Sequence, residues 1–115
     1  MTDPFRISER AFQNAVVEIA RWGSWQVFHA RAAQLPSGRW ATAVQGDVGF
    51  PDLVLAKRGP KGGIIFAELK TAIGRTSDAQ ETWLDVLRHA GAEVYVWRPR
   101  DIQTIRQRLT EGPIQ

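Results

Sequence analysis

Cysteine is absent from the chain, which excludes a disulfide framework and any thiolate metal site. Histidine is scarce: His29 and His89 are too few for a His-rich zinc site. No uninterrupted apolar run approaches the ~20 residues that a membrane-spanning helix needs. The opening MTDPFRISER holds no apolar stretch of signal-peptide length. Repeats, low-complexity tracts and linker-like stretches are missing as well. These absences lead to the expectation of a soluble protein acting inside the cell.

What is present suits one domain. A chain of 115 residues closes one core but not two. Apolar residues make up 43% and charged residues 23%, an ordinary globular balance. Lysine plus arginine exceed aspartate plus glutamate by 15 to 12, with a sequence pI near 10.0. That excess favours a polyanionic partner, and it is equally compatible with a basic surface kept for solubility. Arg31, Arg39, Lys57, Arg58, Lys61 and Arg75 lie in or beside predicted loops, where they can reach phosphates, so they are the candidate DNA-binding residues.

Ser8 reads as an N-cap, and the spacing of Phe12, Ala15, Val16, Ile19 and Ala20 predicts a helix from Glu9 to about Trp22, stopped by Gly23. A strand is expected over Trp25–Ala33, a turn at Leu35–Gly38, and a second strand in RWATAV. The glycine-rich QGDVGFP leads into DLVLAK, the turn KRGPKGG follows, and then IIFAELK. These two apolar runs are expected to pair antiparallel and to be buried on both faces. Ser77 and Gln80 form a capping-box pattern opening a helix that runs to about Ala90, with Gly91 as its stop. EVYVW reads as a strand, and Pro99 opens a last helix ending near Leu109. The order is helix, three to four strands, helix, strand, helix: an α/β fold with a mixed sheet flanked by helices.

Side chains alternate across a strand, so Glu68 and Lys70 share a face at the end of an otherwise apolar strand. Asp52 starts the neighbouring antiparallel strand and therefore comes close to both. Burying unpaired charge costs several kcal/mol per group. Two carboxylates converging from adjacent strands offer hard oxygen ligands suited to Mg²⁺, and a lysine beside them can hold a water or offset phosphate charge. Spacing alone leaves a second reading equally open: Lys70 neutralises Glu68 as an ion pair, and Asp52 caps the turn after Pro51.

Helical phase puts Glu9 near the line of Phe12 and Val16 and turns Glu18 towards solvent, so Glu9 is the better candidate for a further acidic ligand. An acidic residue in a first helical turn is also favourable on its own account. Gln80 shares an inward stripe with Trp83, Leu84 and Leu87, which is compatible with its capping role. His29 reads as a half-buried strand residue and His89 as a partner of a helix C-terminus. The five tryptophans read mostly as core and interface, with Trp40 the one most open to stacking on a base.

GFPDLVLAKRG…IIFAELK resembles the PD-(D/E)XK nuclease motif, and KTAIGRTSDAQETWLDVLRHAGAEVYVWRP resembles the VRR-NUC branch of that superfamily. SERAFQNAVVEIARWGSW is similar to the family's first helix, with a glutamate followed by a glutamine one turn later. The resemblance spans roughly residues 8–109. It implies a restriction-endonuclease-like fold, in one VRR-NUC-like domain over 1–115, and Mg²⁺- or Mn²⁺-dependent cleavage of DNA that leaves a 5′-phosphate. It makes Glu9, Asp52, Glu68, Lys70 and Gln80 the catalytic set. Asp52, Glu68 and the backbone carbonyl of Leu69 become the metal ligands, with Glu9 joining through a metal-bound water. Lys70 orients the attacking water. Stand-alone members occur in phages and bacteria, some as homodimers on branched DNA such as Holliday junctions or flaps, which places the expected activity in the cytoplasm of such cells. A non-cleaving nucleic-acid-binding accessory module is the main alternative. A phage protein that binds a host protein is a third, which no residue specifically favours.

Overall fold

The computed structural model describes residues 3–30, 33–34, 36–41 and 45–114. Helix α1 (Glu9–Trp22) starts where the Ser8 hydroxyl accepts the Ala11 N–H and ends at Gly23. It buries Phe12, Val16 and Ala20, the stripe expected from the sequence. Strand β1 (Gln26–His29) follows. It is shorter than expected: its ladder with β4 (Leu53–Lys57) closes where Ala30 N–H reaches the Asp52 carbonyl. The partner strand stops there because Pro51 has no N–H to continue the ladder. The short strands β2 (Ala33–Gln34) and β3 (Trp40–Ala41) pair separately as a small antiparallel ribbon.

The main sheet has the order β1-β4-β5-β6, with β5 (Gly63–Leu69) central beside β4 and β6 (Glu93–Trp97) at the edge. The β4–β5 pair is antiparallel, as the tight turn between them dictates. The β5–β6 pair is parallel, so the chain must cross over, and α2 (Asp78–His89) is that crossover. A 3₁₀ turn, η1 (Pro99–Asp101), precedes α3 (Ile102–Glu111).

Alternation sorts the sheet into two faces. Leu53, Leu55, Ile65, Ala67 and Leu69 pack on Phe12, Val16, Ala20, Ile105 and Leu109, so α1 and α3 cover one face. Glu68 and Phe66 belong to the other, which α2 covers in part: Phe50 contacts both Phe66 and Trp83 edge to face. The expectation of burial on both faces holds only near this end. Ile64 is 59% exposed, because no helix reaches the turn end of the hairpin on that side. No helix among the described residues is long and apolar enough to cross a membrane.

Candidate active site

The register pairs Leu53 with Ala67, so the next position outward sets Asp52 across from Glu68. Two local features hold Asp52 there. Gly49, at φ +93°, lies so close to α2 that a Cβ would stand 2.5 Å from the Ala79 carbonyl carbon, and only glycine brings the approach to Pro51 this tightly past the helix. The Asp52 Oδ2 then accepts the Leu69 N–H at 2.8 Å, a bond that ties the start of β4 to the end of β5.

Glu68 is 1% exposed. Its Oε1 accepts from Gln80 Nε2 at 2.9 Å and lies 3.6 Å from Lys70 Nζ, whose side chain is 15% exposed. Its Oε2 is buried and meets no donor. Burial, followed by the facing Asp52 carboxyl, pushes the Glu68 acid up to about 8, against the opposing pull of Lys70. Two carboxyl groups that face each other without a donor between them must share a proton or a cation. Gln80 performs both roles open to it: its Oε1 accepts the Ser77 N–H in the capping box while its Nε2 holds Glu68. It thus touches Glu68 and acts through it, as a positioning residue.

The orphaned oxygen of Glu68, a carboxyl that neighbours Asp52, suits a small divalent cation. Mg²⁺ is commonly held by one or two carboxylates, with water and substrate phosphate completing its shell. Among the described residues, no three of His, Cys, Asp and Glu converge as a ligand set. Glu9 forms no such group with Asp52 and Glu68. It is exposed, and its carboxylate accepts from Gln13 Nε2 at 3.4 Å. Burial of α1 begins only at Phe12, and α1 lies on the sheet face opposite Glu68. Helical phase set Glu9's direction around the axis and left open which face the helix covers.

The basic residues separate into groups. Arg75 is exposed in the loop that follows Lys70, at the end of β5 that carries Glu68. Lys57, Arg58 and Lys61 stand at the opposite, turn end of the hairpin, roughly 17 Å away at ~3.3 Å per residue. There Lys57 Nζ lies 5.9 Å from the Trp25 ring centroid, so part of its charge serves the core edge. Arg39 is exposed near the β2–β3 ribbon. Arg31 and the side chain of Trp40 lie outside the described residues. Glu18 is exposed, as its phase required; His29 is half-buried in β1, and the exposed His89 ring contacts the Asp85 carbonyl in the last turn of α2.

Two arginines that the sequence did not single out organise opposite ends of the β4–β5 hairpin. Arg98 Nη1 donates to the Thr71 and Gly74 carbonyls, both at 2.7 Å, and so clamps the loop after Lys70. Buried Arg108 forks onto Glu93 through Nε and Nη2 and donates to the Lys61 and Gly62 carbonyls. Burial pushes Glu93 up, but Arg108 and the Tyr95 hydroxyl outweigh it and leave the carboxyl below its usual value. Tyr95, half-buried and donating to that carboxylate, is pushed up to about 12. The signal that could have marked them is weak: Arg98 directly follows an apolar strand, and Arg108 shares helical phase with Ile105.

Comparison with known proteins bears on this arrangement. The family model described as the VRR-NUC domain matches residues 7–101. A solved structure titled "VRR_NUC domain" is similar in fold, with a TM-score of 0.58 and 23% identity, covering 84% of this chain and 91% of its own. No curated protein matches the chain.

Proposed function

The chain belongs to the VRR-NUC domain family, a nuclease-type domain, and from that premise we propose that it is a metal-dependent endonuclease that hydrolyses DNA phosphodiester bonds, selective for branched structures. One observation carries the reading: the buried Glu68 Oε2 meets no hydrogen-bond partner, while Lys70 and Gln80 hold the other oxygen and the Asp52 carboxyl neighbours the group. Lys70 and Gln80 both engage Oε1, so the Lys70 ion pair does not account for an Oε2 buried without a partner.

On this reading Asp52 and Glu68 hold Mg²⁺, or Mn²⁺ in its place, and the Leu69 carbonyl at the same strand end is the further candidate ligand. When bound, the metal supplies Lewis-acid stabilisation of the charge that builds on the phosphoryl oxygens. Lys70 holds the attacking water by hydrogen bonding and, as an ammonium, offsets phosphate charge. Gln80 keeps the Glu68 carboxylate in one orientation and leaves its other oxygen free. The Leu69 N–H does the same for Asp52. Arg75 engages a phosphate next to the scissile one. Arg39, Lys57, Arg58 and Lys61 are candidates for contacts farther along the backbone, where they position the duplex without reading sequence. The same proposal takes the whole chain, with a core of about 8–109, as one catalytic domain, working as a homodimer on Holliday junctions or flaps in the cytoplasm of a bacterial or phage-infected cell.

The test is a panel of labelled linear duplex, flap, splayed-arm and four-way-junction DNA, incubated with purified protein in Mg²⁺, Mn²⁺ or EDTA. Metal-dependent cuts with 5′-phosphate ends, strongest on a branched substrate, support the proposal. Tight binding without cutting in either metal favours the non-cleaving accessory module.

A further inference from the structure

The loop that leaves the lysine strand is built rigidly, yet it displays an apolar tip. Ile73 is 81% exposed. The residues on either side are fixed: Arg98 Nη1 binds the Thr71 and Gly74 carbonyls, and the Gly74 N–H reaches Thr71 Oγ1 at 2.9 Å. The loop also folds back on the candidate site. A Cβ at Gly74 would stand 3.7 Å from Lys70 Cδ, so the loop beside Ile73 passes near the lysine stem. Scattered exposed apolar residues are normal on any surface. A side chain held out by a clamped loop, against the reactive lysine, is a different case, because its exposure has been preorganised.

The surroundings carry the charge of a nucleic-acid contact. Arg6, Ile7 and Ile73 line one shallow cavity of about 330 Å³ with Thr71, Ala72 and Asp3. Asp3 already accepts the Phe5 N–H, and Arg75 lies exposed two residues beyond the tip. An apolar point with one arginine lining its cavity and another two residues along the loop suits a disturbed base stack flanked by phosphates. Apolar wedges enter base steps elsewhere in DNA recognition, and the unstacking costs least where pairing is already broken.

We infer that the 71–75 loop is a DNA-probing wedge: Ile73 enters an opened base step beside the scissile phosphate, with Arg75 and Arg6 on the flanking phosphates. It rests on the nuclease reading for its substrate and adds how branched DNA is told from intact duplex. Insertion at an intact step must first break stacking. At a branch point that step is already open, so the same contact yields tighter binding there.

The test uses a four-way junction with 2-aminopurine at the branch point, titrated with the full chain in EDTA so that no cutting occurs. Binding should raise the fluorescence through unstacking and be tighter for junction than for linear duplex. Ile73→Ala should lose the fluorescence rise and about tenfold in junction affinity, with little change on duplex. Ile73→Leu should retain both. Since Ile73 is exposed, the melting temperature of Ile73→Ala should match wild type, which separates the effect from misfolding. An unchanged rise and affinity ratio in Ile73→Ala overturns the wedge, as does a wild-type protein that gives no rise. Wild type that shows the rise but cuts nothing in Mg²⁺ or Mn²⁺ keeps the wedge and removes the nuclease reading.

Discussion

Glu68 stands between four neighbours of different kinds: the apolar core behind the strand, Asp52 across the ladder, Lys70 along it and Gln80 from the helix. Its acid is raised from the usual 4.5 to about 8, chiefly by burial and then by Asp52. Between those values the folded state holds a proton that the unfolded state has lost. The stability of the metal-free protein therefore falls as pH rises from about 4.5 towards 8 and then levels off. Thermal melts in EDTA across that range should show the decline in wild type, and Glu68→Gln should flatten it. Added Mg²⁺ at the alkaline end should raise the wild-type melting temperature and leave Glu68→Gln unmoved, because binding to the folded state alone stabilises it. The shared face of Glu68 and Lys70 was legible in strand alternation. The missing donor at Oε2 was not, since it depends on how closely α2 seals the site.

Elements reached from the sequence with little error are those with local punctuation. Ser8 and Gly23 bound α1, Ser77 with Gln80 opens α2, and KRGPKGG closes the β4–β5 hairpin. Features that depend on packing across the fold left no local mark. Glu9 illustrates this for a helix, and Arg98 for a loop: its partners are backbone carbonyls more than twenty residues upstream, at Thr71 and Gly74. Arg98→Ala should free the 71–76 loop, which connects Lys70 to the Ser77 cap and so to Gln80. The expected result is a fall in the cleavage rate of about tenfold or more, consistent with misplacing a positioned group, with Arg98→Lys recovering part of it. Proteolysis of the loop should speed up in parallel. Arg108 ties α3 to β6 and to the hairpin turn, and it lies 5.2 Å from the Trp25 ring centroid. Removing it strands the Glu93 carboxylate, so Arg108→Ala should lose roughly 3 kcal/mol in urea denaturation, at the lower end for buried pairs because Glu93 is only partly buried.

At the scale of the molecule, the proposed function divides the work between the two ends of the β4–β5 hairpin. One end carries Asp52, Glu68, Lys70 and the clamped loop; the other carries Lys57, Arg58 and Lys61. A phosphate contact far from the reacting centre adds affinity and little to the rate. Lys61→Ala should therefore lower the salt slope of DNA binding by about 1 and leave single-turnover cleavage at saturating protein unchanged. Arg75→Ala should lower both. The fold class was legible because the alternation of helix and strand patterns admits few arrangements. The distribution of charge over the folded surface was less so, since Arg75 and Lys61 look alike in the sequence and lie at opposite ends of one hairpin.

The most direct test of the central claim is the single-turnover cleavage rate of a labelled four-way junction in saturating Mn²⁺, for wild type, Asp52→Asn and Lys70→Met. If Asp52 and Lys70 form the reactive centre, wild type cuts only with metal, and both variants bind the junction normally but lose at least about a thousandfold in rate, the scale expected for removing a group that acts on the transition state. Cutting by Asp52→Asn at the wild-type rate would contradict the assignment.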